Sequence, residues 1–157
     1  MHFRYHPSPL GQLLLAGNEL GLHLLHMDSA HPWQLADNWQ PAGAQLDAVA
    51  RQLDEYFEGR RQRFEVSLAP RGTEFQRQVW WALQQIPYGT TTSYAALAQR
   101  IGRPKAIRAV GTANGANPVA VIVPCHRVIG SDGGLTGFSG GLERKQQLLQ
   151  LEGAWLI

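Results

Sequence analysis

The chain has 157 residues and a single cysteine. One thiol rules out an intramolecular disulfide and any zinc site built from several thiolates, and it fits a reducing compartment. Long apolar runs are missing as well. Nothing approaches the roughly 20 residues that a membrane-spanning helix needs. The Leu13-Leu14-Leu15-Ala16 run is too short for a signal-peptide core and meets Gly17-Asn18 at once, so it reads as a strand. A cytoplasmic protein is the expectation. Internal repeats and low-complexity tracts are also absent. What remains, 44% hydrophobic and 17% charged, is the composition of an ordinary globular protein with one large domain or two small ones.

The formal net charge of +2 conceals an uneven distribution. Residues 1–69 carry five arginines against eight carboxylates, a net of −3, whereas residues 70–157 carry nine lysines or arginines against four carboxylates, a net of +5. A basic half joined to an acidic one suggests that the C-terminal part meets a polyanion.

Residues 2–27 read as an antiparallel meander, with strands over Phe3–His6, Leu10–Gly17 and Leu20–Met27 and turns at Pro7-Ser8-Pro9 and Asn18-Glu19. His23 and His26 do not make a metal site, because three residues apart on a strand they face opposite sides. His31 to Pro41 reads as a loop. Apolar residues from Leu46 to Phe57 recur at helical spacing and predict a helix over 44–58, ended by Gly59. Arg60–Leu68 reads as extended, and Ala69-Pro70-Arg71-Gly72 as the linker to a second domain. The expected fold is α+β: residues 1–69 a scaffold domain with a small antiparallel sheet and a helix, residues 70–157 a mostly helical, winged-helix-like domain.

That second domain opens on Thr73-Glu74-Phe75-Gln76, a capping box ahead of a helix with a Phe75, Val79, Ala82, Leu83, Ile86 stripe. Ser93 caps a short helix from Tyr94 to Ile101, closed by Gly102. Pro104 falls where a first helical turn accepts proline, so the next helix should run from there to about Asn114-Gly115. Two short helices joined by Gly102-Arg103-Pro104 make a helix-turn-helix. Its second helix would present Lys105 and Arg108 on one face, with Arg103 at the turn. Its many Ala and Gly residues leave a low surface that can approach a nucleic-acid groove closely.

The centre of the chain is the stretch Asn117-Pro118 to Pro124-Cys125-His126-Arg127-Val128. An apolar run between two prolines would hold Cys125 at its rim, and a neighbouring base is what turns a thiol into a nucleophile. On an extended segment, however, adjacent Cys125 and His126 point opposite ways. Leu135 to Gly141 is a glycine-rich loop that lacks the lysine and spacing of a phosphate loop. It leads to a last helix over 142–151. Glu152 follows at the helix C-terminus, an unfavourable place for a carboxylate unless solvent, a cation or a histidine holds it.

These motifs, in this order, resemble the O6-alkylguanine-DNA alkyltransferase family. Asn117-Pro118 with Val123-Pro124-Cys125-His126-Arg127-Val128 carries the likeness, joined by Ser93-Tyr94, Arg108-Ala109-Val110-Gly111, Ser139-Gly140-Gly141-Leu142 and Glu152-Gly153. The resemblance implies direct-reversal DNA repair, an irreversible, single-turnover transfer of the alkyl group from O6-alkylguanine, and from O4-alkylthymine, to Cys125. His126 would act as base through a water, Glu152 would orient its imidazole, and Tyr94 would donate a proton or hydrogen bond to the leaving base. Asn117 would brace the segment between recognition helix and site, while Val128 and Ser139 would hold the base edge. The pocket around Asn114, Ala120 and the 136–139 loop would set alkyl tolerance. Arg103, Lys105, Arg108, Ala109, Thr112 and Arg127 would contact double-stranded DNA through its minor groove. Arg108 would fill the stack vacated by a flipped nucleotide. No metal or other cofactor and no membrane is implied, and the protein would be a monomer, with cooperative binding along DNA left open.

Two rivals make different demands. A helix-turn-helix regulator with a passive cysteine would be indifferent to loss of Cys125. A cysteine hydrolase using Cys125 and His126 would turn over repeatedly.

Overall fold

A computed structural model describes residues 1–27, 33–138 and 140–155. Two compact units emerge, Met1–Arg71 and Gly72–Ile157.

The first unit is built on β1 (His2–Ser8), β2 (Gly11–Asn18) and β3 (Gly21–Met27), the expected antiparallel meander, with β2 in the middle. Leu13, Leu14, Leu15 and Ala16 are all buried, so both faces of β2 are covered, which is why it lacks the apolar-polar alternation of a half-exposed strand. On one face, α1 (Asp47–Phe57) docks through Val49, Ala50, Leu53 and Tyr56. His6 Nε2 lies 2.7 Å from Asp54, and Arg4 donates to Asp47 at 2.7 Å. On the other face, Leu35 and Trp39 pack over Leu14, Ala16 and Leu24. The segment expected to be a plain loop thus closes the core and adds a short strand, β4 (Gln40–Pro41), parallel to β1. Arg60–Leu68 forms no strand. It meets β3 at a single bridge, where Leu22 N donates to Ser67 O and Ala69 N to Leu22 O. Gly21 permits that approach: its φ is +138°, and a Cβ there would sit 2.5 Å from Ser67 O.

The second unit packs α2 (Glu74–Leu83), α3 (Tyr94–Arg100) and α4 (Ile107–Gly115) together, followed by α5 (Leu142–Leu151). The capping box forms as read: Thr73 Oγ1 accepts from Gln76 N, and Gln76 Oε1 from Thr73 N. Ser93 likewise caps α3 by accepting from Ala96 N. Trp80 is buried in the middle of α2 and donates Nε1–H to Ala113 O at 2.8 Å, which ties α2 to α4. Two residues on either side of the central segment pair in parallel, β5 (Thr92–Ser93) with β6 (Val128–Ile129).

The start of the second helix needs correction. Ala106 N donates to Arg103 O, so Pro104 and Lys105 are the middle residues of a turn, and α4 begins one turn later, at Ile107. Proline at the second position of such a turn satisfies its fixed φ as well as a helix start does. Lys105 therefore precedes the helix, and only Arg108 of the two cations lies on it.

Candidate active site and nucleic-acid interface

Asn117 closes the loop that carries the cysteine. Its Oδ1 accepts from Val119 N at 3.0 Å and its Nδ2 donates to Val123 O at 2.8 Å. Inside that clasp the chain is tightly coiled, not extended. Ile122 N donates to Ala120 O across Val121, whose φ of +72° is a left-handed value that a β-branched residue rarely adopts. Cys125 N donates to Val123 O across Pro124 (φ −82°, ψ +64°), an inverse γ-turn. Cys125–Arg127 is then one 3-10 turn. The turn replaces the extended geometry in which Cys125 and His126 would point opposite ways.

Cys125 is buried, 3% exposed, and not at the rim of the segment, because the coil wraps around it. Burial pushes its thiol up to about 11, with a hydrogen bond from Asn117 and the charge of Lys145 pulling the other way. At neutral pH the sulfur holds its proton, and a base must take it.

His126 is fully buried, with Nε2 2.9 Å from Glu152 Oε2. Burial holds its pKa below the ordinary histidine value; Glu152 opposes this, and the Arg127 and Lys145 charges reinforce it. A neutral imidazole facing a carboxylate carries its proton on Nε2. Nδ1 is then left with its lone pair, and it has no hydrogen-bond partner among the described residues.

Glu152 caps the C-terminus of α5 and is held by more than the histidine. Arg127 grips it with both arms of its fork, Nε to Oε1 at 2.8 Å and Nη2 to Oε2 at 2.9 Å, while Nη1 donates to Ile86 O at 2.7 Å. Burial alone would raise the Glu152 pKa. The hydrogen bonds and charges of His126 and Arg127 outweigh it and bring the carboxyl down to about 2. Arg127, expected on the DNA, is thus 7% exposed and committed to the carboxylate. A bidentate ion pair of this kind fixes both partners in orientation.

Lys145 was not foreseen. It is fully buried in α5, where Nζ donates to Val128 O at 2.6 Å and to Thr136 O at 2.9 Å. Burial lowers its pKa to about 8 against the pull of Cys125. A signal existed in the spacing, since position 145 precedes buried Leu148 and Leu149 by three and four residues and so shares their face. Val128, expected at the base edge, has its carbonyl engaged by Lys145. Asn114, also buried, points its Nδ2 at Cys125 O at 3.4 Å.

Tyr94 starts α3, and a Cβ on Gly111 would lie 3.7 Å from its ring, so the phenol rests directly on α4. Its hydroxyl pairs with Thr136 Oγ1 at 2.7 Å. On the outer side, Lys105, Arg108, Ala109 and Thr112 line one open groove together with Phe75 and Gln76. The Arg103 guanidinium stands 5.8 Å from the Phe75 ring centre. Five of the six residues expected on DNA thus share one basic region, and Arg127 is the exception. Ser139 lies outside the described residues. No helix among them is long and apolar enough to cross a membrane, and no three His, Cys, Asp or Glu side chains among them cluster as metal ligands.

A helix-turn-helix with a basic groove, backed by a buried thiol beside a carboxylate-held imidazole, defines a DNA-binding protein built around one cysteine. Comparison with known proteins gives the particular family. Residues 74–154 match the DNA-binding domain of 6-O-methylguanine DNA methyltransferase, and residues 1–70 match its ribonuclease-like domain. The chain belongs to the 6-O-methylguanine DNA methyltransferase family, as the motifs implied. It is 49% identical to the methylated-DNA–protein-cysteine methyltransferase of Methanosarcina acetivorans over 98% of this chain and 99% of the relative. It is 49% identical to the protein of that name from Mycobacterium tuberculosis, over 97% of this chain and 92% of the relative. The crystal structure of Mycobacterium tuberculosis OGT in complex with DNA is 48% identical and superimposes with a TM-score of 0.91, covering 98% of this chain and 94% of that one.

Proposed function

We propose that this chain is a methylated-DNA–protein-cysteine methyltransferase that repairs O6-alkylguanine in duplex DNA, and O4-alkylthymine with it, by taking the alkyl group onto Cys125. One observation carries the mechanism: Glu152 occupies Nε2 of a neutral His126 and leaves Nδ1 without a partner among the described residues, in the residue next along the chain from a thiol that burial keeps protonated. Nδ1 takes the thiol proton through a bridging water. The sulfur electron pair attacks the alkyl carbon, the carbon–O6 bond breaks, and its electrons return to the purine. A hydrogen bond or proton from the Tyr94 hydroxyl lets guanine leave as a neutral base. Arg127 acts through Glu152 and so positions the base without touching the substrate.

A base stacked in a duplex cannot present its O6 substituent to a buried sulfur, so the nucleotide must swing out. In this reading α4 lies in the minor groove, Arg108 replaces the missing base in the stack, and Asn117 and Val128 serve the base pocket. Minor-groove contact is degenerate, which suits a search for damage in any sequence. Residues 1–69 serve as scaffold and residues 70–157 bind DNA and react. The protein acts as a monomer without a cofactor, in a reducing cytoplasm where a free thiol persists.

The decisive measurement is intact mass after mixing the protein with duplex containing O6-methylguanine. The expected result is one added methyl per chain, mapped to Cys125, with a plateau at one equivalent however much substrate is present. Unchanged mass with binding retained would replace repair by lesion sensing.

The groove makes a second expectation. Lys105→Ala should weaken duplex binding and lower the salt dependence of log K by about one phosphate's worth, whereas Arg127→Lys should leave that slope unaltered. Titrations at several salt concentrations check both. A reduced slope in Arg127→Lys would return Arg127 to the DNA interface.

A further inference from the structure

We infer that Thr136 is a positioning residue for the proton donor Tyr94, supplying a hydrogen bond to the phenol oxygen while the phenol donates to the leaving base. The inference rests on the alkyl-transfer reading of the site. It starts from the pair Tyr94 Oη and Thr136 Oγ1, 2.7 Å apart, in which either oxygen can donate. The phenol has little freedom, because its residue opens α3 and its ring lies against Gly111 of α4.

Thr136 is exposed and sits in a loop, yet its backbone is anchored: the buried ammonium of Lys145 holds its carbonyl at 2.9 Å, and the same ammonium holds Val128 O at 2.6 Å. Lys145 thereby joins the Thr136 loop to the strand residue that follows the Cys125 turn. Such an anchor costs free energy, since it takes an ammonium out of water with two neutral carbonyls as its hydrogen-bond acceptors. Its effect is to keep one hydroxyl at a set distance from the phenol.

The two hydroxyls form a chain with a direction. With substrate absent, Tyr94 can donate to Thr136. Once a base accepts the Tyr94 proton, the threonine hydroxyl rotates and donates to the phenol oxygen. A donor that itself accepts a hydrogen bond is polarised and donates more strongly. As negative charge gathers on the phenol oxygen in the transition state, the bond from Thr136 strengthens with it. The contribution therefore falls on the rate of transfer and hardly on ground-state binding.

The test measures single-turnover methyl transfer across a range of methylated-duplex concentrations in five proteins: unaltered, Thr136→Val, Thr136→Ser, Tyr94→Phe and the Tyr94→Phe/Thr136→Val double variant. Thr136→Val keeps the shape, loses the hydroxyl, and lies at an exposed position that folding tolerates. It should lower the limiting rate by about tenfold, the worth of one hydrogen bond, with the half-saturating concentration little changed. Thr136→Ser should restore most of the rate. In the Tyr94→Phe background the valine should cost nothing further, because the group it acts through is gone. A Thr136→Val rate equal to that of the unaltered protein would overturn the inference. So would an equal loss in both backgrounds, or a change confined to half-saturation. If the unaltered protein takes up no methyl, the alkyl-transfer reading fails, and the inference with it.

Discussion

Cys125→Ser is expected to bind a duplex carrying O6-methylguanine as the unaltered protein does and to take up no methyl at all. Serine keeps a hydrogen-bonding group near Asn117 and is slightly smaller than cysteine, so the coil from Val119 to Pro124 is not strained by it. The chemistry is lost for another reason. The buried thiol, though pushed up to about 11, can still surrender its proton to a neighbouring imidazole as the alkyl carbon approaches. A serine hydroxyl is a far weaker acid, and its oxygen is the weaker nucleophile toward an alkyl carbon. Gel-shift titration and intact mass together check this result. A methyl found on the serine variant would mean that Cys125 is not the acceptor. A regulator with a passive cysteine would lose nothing in the same substitution.

Glu152→Ala should be the most damaging change to the site short of removing the sulfur. It strips the carboxylate from a buried arginine and a buried histidine at once, and breaking such a pair costs about 3–5 kcal/mol. A urea melt reads that loss directly. Glu152→Gln is the companion variant, close in shape and able to fold. It should slow transfer by about 10²–10⁴-fold, because an amide no longer dictates which imidazole nitrogen carries the proton. The same carboxylate sets an acid limit. Its folded pKa of about 2 lies below the ordinary 4.5, so the stability it provides is complete above pH 4.5 and fades as pH falls toward 2. Stability of the glutamine variant should be flatter over that window. Equal acid sensitivity in the two proteins would show that the Arg127–Glu152 pair contributes little.

Local signals were legible in the sequence, and distant ones were not. The capping box at Thr73, the Ser93 cap and α5 all form as expected, because each is written within four residues or one helical stripe. Cys125, His126 and Glu152 were brought together by the motifs and by the awkwardness of a carboxylate at a helix end. Arg127 was misread. The family resemblance implied a DNA contact for it, and nothing in the neighbouring residues says that its fork closes on a carboxylate 25 positions away. Lys145 was missed because a lysine in a polar helix usually faces water, and its carbonyl partners come from β6 and a loop. Pro104 satisfied two local rules equally, a helix start and a turn, and packing chose the turn. The apolar run before the cysteine has strand composition, and two prolines with the Asn117 clasp coil it instead.

That the chain holds one sulfhydryl and no second to relieve it has a consequence at the scale of a cell. If transfer to Cys125 proceeds as proposed, each copy is a single-use reagent, so protective capacity is counted in molecules in stock and cannot be raised by waiting. A culture challenged with alkylating agent would exhaust its supply at a sharp threshold, and recovery would proceed at the pace of new synthesis.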